Sequence, residues 1–354
     1  MSLRERLAAQ IAAGGPLTLA QYMTACLHDP QDGYYATRPA IGGTGDFITA
    51  PAVSQMFGEL IGLWAAQTWR AMGEPAAFRL VEAGPGDGTL MEDLLRAAGA
   101  APGFREAADL WLIEASPPLR ARQAERLAHA APQWAGRLDD VPGGGPLILV
   151  ANEFLDCLPA RQFVRTERGW REKMVGLDEE GRLAFGLSAP LPPPFAEADL
   201  PVGSIREVSA AQEAFGLTLG ARLAAEGGAA LLIDYGSARP GGDTFQALKR
   251  HEKVDPLAFP GEADLTVHAD FAAVAAAAVA EGAAAAALLT QAQFLGRMGI
   301  EARAQALAAR RPDRVETLGR QFDRLTAQNE MGELFKVLCL HAKDLSPPAF
   351  EEAR

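Results

Sequence analysis

Apolar residues return at spacings of three and four through residues 3–72, in the runs LRERLAAQIAA, LAQYMTACL and SQMFGELIGLWAAQTWRAM, and predict an N-terminal group of helices. A loop rich in glycine, proline and aromatic residues, 29–51, precedes the last of them. Short apolar runs follow at 78–83, 110–114, 147–151 and 229–234, with helical patterns between the first three. That alternation is the βαβ rhythm of a mostly parallel sheet, so the expected class is α/β. Residues 162–187 instead alternate, with turn signals at Arg168-Gly169 and at Glu179-Glu180-Gly181, and predict an inserted antiparallel hairpin leading into an extended, proline-rich linker at 190–194. The segment 236–269 is turn-rich and lacks a clear period; its length and its aromatic and aliphatic content predict a functional loop. Runs at 283–290 and 336–341 are expected as final strands around a helical stretch, 291–329.

Composition narrows the function more than the fold. A net charge of -12 disfavours a phosphate-tracking surface, so no nucleic acid partner is expected, whereas a basic protein or a cationic side chain would suit it as substrate. Cys26, Cys157 and Cys339 are scattered and form no CxxC pair, so they predict neither a disulfide framework nor a zinc site, and no metal is expected. The first residues mix charges with apolar positions and do not make a secretory signal, and no window offers the roughly 20 apolar residues of a bilayer span. No membrane insertion and a cytoplasmic location are therefore the expectations.

The chemistry concentrates around LVEAGPGDGTL, where an apolar strand ends at Glu82 and the chain turns through Gly84, Gly86 and Gly88 into a helix. Glycines admit close backbone approach, and a helix start offers free N–H donors to a ligand's polar groups. A dinucleotide fingerprint would place its third small residue at Thr89, but the third glycine here is Gly88. An acid two residues before the first glycine, and glycines at every second position, match the S-adenosylmethionine (SAM) pattern of class I methyltransferases, with Glu82 oriented toward the methionine end. The next strand ends in Glu114, a candidate for the two ribose hydroxyls; the alternative is a helix cap on the chain entering at Ser116 and Pro117. Asp139 and Asp140, near the expected end of the third strand, are candidates for the adenine amino group or plain turn acids.

The run LILVANEFLDCLPARQF sets Asn152, Glu153 and Asp156 directly after an apolar strand, at the sheet edge where open α/β folds bind ligands. Carboxylates there suit an amine or guanidinium acceptor, whose charge must be offset and whose nitrogen must be aimed. Turn capping is the structural alternative for Asn152 and Asp156.

Six stretches in order, GDFITAPAVSQMFGELIGLW, VEAGPGDGTL, ANEFLDCLPARQFV, IREVS, LLIDYG and PGEADLTVHADF, resemble the MidA family of bacterial and mitochondrial SAM-dependent methyltransferases, linked to respiratory complex I assembly. The resemblance runs over nearly the whole chain. It implies a class I methyltransferase fold, Rossmann-like with a seven-stranded sheet, over residues 76–350, with an insertion at about 162–200 and a helical extension, 1–75, covering the active site. It also implies protein arginine methylation, with a complex I subunit as substrate of the mitochondrial member. Glu153 and Asp156 would then form the guanidinium clamp, and Asp46, Thr49 and Gln55 would fold over the cofactor. His268, in LTVHADF, is a candidate proton carrier. A SAM-binding assembly factor without catalysis and a small-molecule methyltransferase are the alternative functions.

Overall fold

The computed structural model describes residues 1–37, 49–196, 200–238 and 241–350. Its N-terminal helices start on well-formed caps. In α1 (Leu3–Gly14), Ser2 and Glu5 close a reciprocal capping box. After β1 (Leu17–Thr18), Thr18 and Gln21 do the same for α2 (Leu19–His28). Two short helices, α3 (Tyr34–Thr37) and α4 (Ala50–Val53), lead to α5 (Gln55–Ala71), whose apolar stripe includes Phe57, Trp64 and Trp69.

Strand and helix then alternate as the apolar runs require: β2 (Phe78–Ala83), α6 (Thr89–Ala98), α7 (Phe104–Ala107), β3 (Ala108–Ile113), α8 (Pro117–Arg126), β4 (Gln133–Ala135) and β5 (Leu147–Asn152). Every residue of β5 is buried, as expected of a parallel strand covered on both faces. The insertion supplies β6 (Arg161–Thr166), β7 (Gly169–Leu177), β8 (Leu183–Leu187) and β9 (Ile205–Val208). Then come α9 (Ala210–Glu226), β10 (Gly228–Ser237), β11 (Gln246–Lys249), β12 (Glu252–Val254), β13 (Asp264–Thr266), β14 (Ala269–Asp270) and α10 (Phe271–Ala280). Two short strands, β15 (Ala284–Ala285) and β16 (Leu289–Thr290), precede α11 (Gln291–Arg297), α12 (Ile300–Arg310), α13 (Val315–Thr326), α14 (Met331–Leu334) and β17 (Phe335–His341).

The main sheet has the order β15-β17-β10-β5-β2-β3-β4, with β14 paired to β10 and β16 to β17. From β10 through β4 the pairings are parallel, and β17 runs antiparallel beside β10. Seven strands therefore form the continuous path of a doubly wound α/β sheet. One core face, with α5, α6 and α11, carries Trp64, Phe78 and Phe294, and the other, with α9 and α10, carries Leu219, Leu223 and Val274.

Three expectations change. The hairpin at 162–187 is part of a five-stranded sheet in which β1, from the N-terminal helices, adds to β7 through Leu17↔Val175. The segment 236–269 is not irregular: β11, β12 and β13 make a small antiparallel sheet whose Ala247 and Leu265 pack on α2 in a third core. The strand expected over 283–290 is two dipeptides, and β4, only three residues long, gives no periodic signal.

Candidate active site

β2 delivers the chain to the carboxyl edge of the sheet, where Gly84, Gly86 and Gly88 all take positive φ (67°, 55° and 84°). At Gly84 a Cβ would also meet the Phe154 ring at 3.0 Å. Asp87 starts α6 by accepting from the Thr89 N–H (3.1 Å) and hydroxyl (2.7 Å), and Arg126 of α8 pairs with Asp87 and Glu92, each at 3.0 Å, tying the loop to the next helix. Gly84 and Gly86 line the cavities on both sides of the loop. Gly88 faces α8, since a Cβ there would touch Arg126 and Leu127, and its contribution is the turn itself.

One cavity, about 330 Å³, is lined by Thr49, Glu82, Gly84, Gly86, Asn152 and Glu153. Glu82 is 2% exposed, and its Oε2 has no hydrogen-bond partner among the described residues. Burial, with the charges of Asp87 and Glu114 adding, pushes its carboxyl up to about 8. Asn152 donates to Glu153 Oε1 (2.9 Å) while its own Oδ1 lacks a partner. Two buried acceptors without partners, on residues that line one cavity, call for a donor, and a cationic one suits Glu82.

The second cavity, about 570 Å³, is mostly apolar and is lined by Glu114, Asp139, Glu153 and Phe154 together with the glycine loop. Glu114 accepts from the Ser116 N–H (2.8 Å) and from Gln123 Nε2 (3.2 Å), so it steadies the start of α8 while lining the cavity. Burial raises its carboxyl above the ordinary range. Gln123 escapes the sequence reading, yet it is fully buried and also donates to the Gly86 carbonyl at 2.7 Å, with Trp134 Nε1 donating to its oxygen at 2.8 Å. Its signal is positional: it sits four residues after Leu119 on the buried face of α8. Asp139 lies on a 3-10 turn at the cavity wall, whereas Asp140 caps that turn at the Arg137 N–H.

Glu153 stands between the two cavities at a φ of 52°, where its carboxylate takes the Asn152 amide and the Ala50 N–H (3.3 Å) at the start of α4. Burial and the charge of Asp156 push it up to about 8. Asp156, 5% exposed and raised to about 6 by burial, lies beside Tyr235 and lines neither cavity. Among the described residues, no lysine or arginine is hydrogen-bonded or ion-paired to Glu82, Glu153, Asp156 or Asp234.

Two expected residues sit elsewhere. Gln55 is exposed at the start of α5 and donates to Glu59 (3.3 Å), one turn along the same helix, so it does not reach the cavities. His268 stacks edge-on against Tyr235 with ring centroids 5.5 Å apart, burial holds its pKa below the ordinary histidine value, and it lines neither cavity. Asp46 lies outside the described residues.

The arrangement sets acceptors without partners, on Glu82 and Asn152, at one cavity and the Glu114 carboxyl on the wall of the other. The sequence model of a family of S-adenosyl-L-methionine-dependent methyltransferases matches residues 60–289. The chain is 37% identical over 365 residues to the zebrafish (Danio rerio) protein named protein arginine methyltransferase NDUFAF7, mitochondrial, covering 95% of this chain and 86% of that one. Its human (Homo sapiens) counterpart is 36% identical over 363 residues, covering 94% and 81%. A Burkholderia thailandensis protein crystallised with S-adenosyl-homocysteine superposes with a TM-score of 0.87 at 31% identity, covering 99% of this chain and 95% of that one. The expected cytoplasmic location is corrected by these names, which assign the curated relatives to mitochondria. No described helix is long and apolar enough to cross a membrane. With its glycine loop, its carboxylate-lined cavities and these matches, the chain belongs to the MidA-like family of S-adenosyl-L-methionine-dependent methyltransferases.

Proposed function

We propose that this methyltransferase acts on a protein arginine, as the names of its relatives suggest for them, and that a respiratory complex I subunit is the natural substrate class. The observation that carries the reading is the surplus of buried carboxylate around Glu153 without a basic partner among the described residues. Such a site is costly until a cation enters it.

Bound SAM supplies a methyl group activated on a sulfonium. Glu82 and Asn152 hold the ammonium at the methionine end through the two acceptors left open there. Glu114, kept in register by Gln123, would take the ribose hydroxyls, and Asp139, on the wall of the same cavity, would take the adenine amino group. Glu153 receives the guanidinium and fixes which nitrogen faces the methyl, so positioning and charge complementarity do most of the work. Held as a carboxylate by the bound guanidinium, Glu153 would also be the group to take the proton that leaves the nitrogen as the N–C bond forms. Asp156 acts from behind, its charge raising the proton affinity of Glu153.

The test uses purified protein, SAM with a labelled methyl group and recombinant complex I subunits. Labelling of a subunit that Glu153→Ala abolishes, with cofactor binding retained, is expected. Cofactor binding without any labelled subunit, or labelling indifferent to Glu153→Ala, would overturn the arginine reading.

A further inference from the structure

The turn after β5 carries Glu153 in a backbone region that residues other than glycine rarely adopt, with φ at 52°. Something must hold it there. The Glu153 N–H donates to the Ile233 carbonyl of β10 (2.9 Å), extending the parallel pairing in which Ile233 faces Asn152. The next residue of β10, Asp234, is 1% exposed. Its Oδ2 accepts from the N–H groups of Leu155 (2.9 Å) and Asp156 (3.1 Å), and its Oδ1 from that of Tyr235 (2.8 Å). On the carbonyl side, Gln212 of α9 donates to Leu155 (2.8 Å) and the Val267 N–H to Asp156 (2.9 Å). Asp234 lines neither cavity, so it does not touch the ligands directly.

We propose that Asp234 is the positioning residue of the acceptor site: by collecting the N–H groups of the turn, its buried carboxylate fixes the backbone that presents Glu153 between the two cavities. The inference rests on Glu153 as the acceptor-binding group. A carboxyl group is required because two oxygens must both accept, one of them twice. Asparagine keeps the oxygen for Leu155 and Asp156 but turns an amide N–H₂ toward the Tyr235 N–H. Alanine leaves three buried N–H groups without their acceptor.

The experiment measures butylguanidinium binding to the protein saturated with S-adenosyl-homocysteine, for the wild type, Asp234→Asn, Glu153→Gln and the double variant, alongside cofactor affinity and crystal structures. Asp234→Asn is expected to weaken butylguanidinium by about tenfold or more, in line with the cost of small misplacements at a site. It should leave S-adenosyl-homocysteine affinity within about threefold, and should add little once Glu153 is already glutamine. The crystal structure of Asp234→Asn should show the Glu153 backbone displaced. Equal losses in both backgrounds, a parallel collapse of cofactor affinity, or an unmoved Glu153 would each overturn the proposal. If the wild type ignores butylguanidinium, the acceptor reading fails, and the displacement of Glu153 in the variant structure still decides the role of Asp234.

Discussion

At the residue scale the decisive property is a carboxyl held in its neutral range by burial. Glu82, pushed up to about 8, stays protonated in the unliganded protein until near that pH, whereas the unfolded chain releases the same proton in the ordinary carboxylate range. Between the two the folded state binds more protons, so unliganded stability falls as pH rises through that window, by up to about 1.4 kcal/mol per pH unit for one such group. A bound ammonium reverses the preference. Calorimetry with S-adenosyl-homocysteine in buffers of different ionisation heat should therefore detect proton release, with affinity rising from pH 6 to 8, and Glu82→Gln should remove most of that dependence. Gln123→Leu should weaken the same ligand by about tenfold, since it removes the donor that Gln123 offers to both Glu114 and the Gly86 carbonyl. Glu82, Glu114 and Glu153 stand out in the sequence because each ends or follows an apolar run. Gln123 does not, and Asp234, although it ends the run 229–234, shows no sign there of what it holds: the value of both lies in contacts with residues 37 and 79 positions away, which no local pattern encodes.

At the element scale the strands of the parallel sheet are readable because burial on both faces makes them continuous apolar runs, as in LILVAN. The short β11 to β13 sheet is not readable, because strands of three or four residues hold too few alternations to show a period. Helix contacts are equally hidden. α9 crosses α10 at Gly216 and Gly220, and a Cβ on Gly220 would lie 2.4 Å from both the Cα and the carbonyl oxygen of Ala278. Gly220→Ala must push two backbones apart and should cost about 1–3 kcal/mol, read as a lower midpoint in urea unfolding with cofactor affinity per folded molecule unchanged. A midpoint equal to the wild type would mean that the two helices pack less tightly than described.

At the scale of the whole molecule, N-terminal and C-terminal helices converge on one buried carboxylate. Glu59 of α5 takes two bonds from Arg303 of α12 (2.7 and 2.8 Å) and one from Arg96 of α6 (3.1 Å). Arg303→Ala leaves that acid with a single cation and, discounted for the partial exposure of Arg303, should destabilise by about 1–2 kcal/mol in chemical unfolding. Activity at low temperature should survive, because the network stands apart from the cavities. A division of labour follows: α5 and the C-terminal helices brace one face of the sheet, while α1, α2 and the inserted strands build a separate core beside the acceptor edge. Family membership fixes the cofactor, and the acceptor rests on Glu153. Mass spectrometry of a complex I subunit incubated with the enzyme and SAM tests this most directly. The account predicts methyl groups on an arginine guanidinium, lost with Glu153→Gln while S-adenosyl-homocysteine still binds; methylation of any other atom, or unchanged arginine methylation by Glu153→Gln, would contradict it.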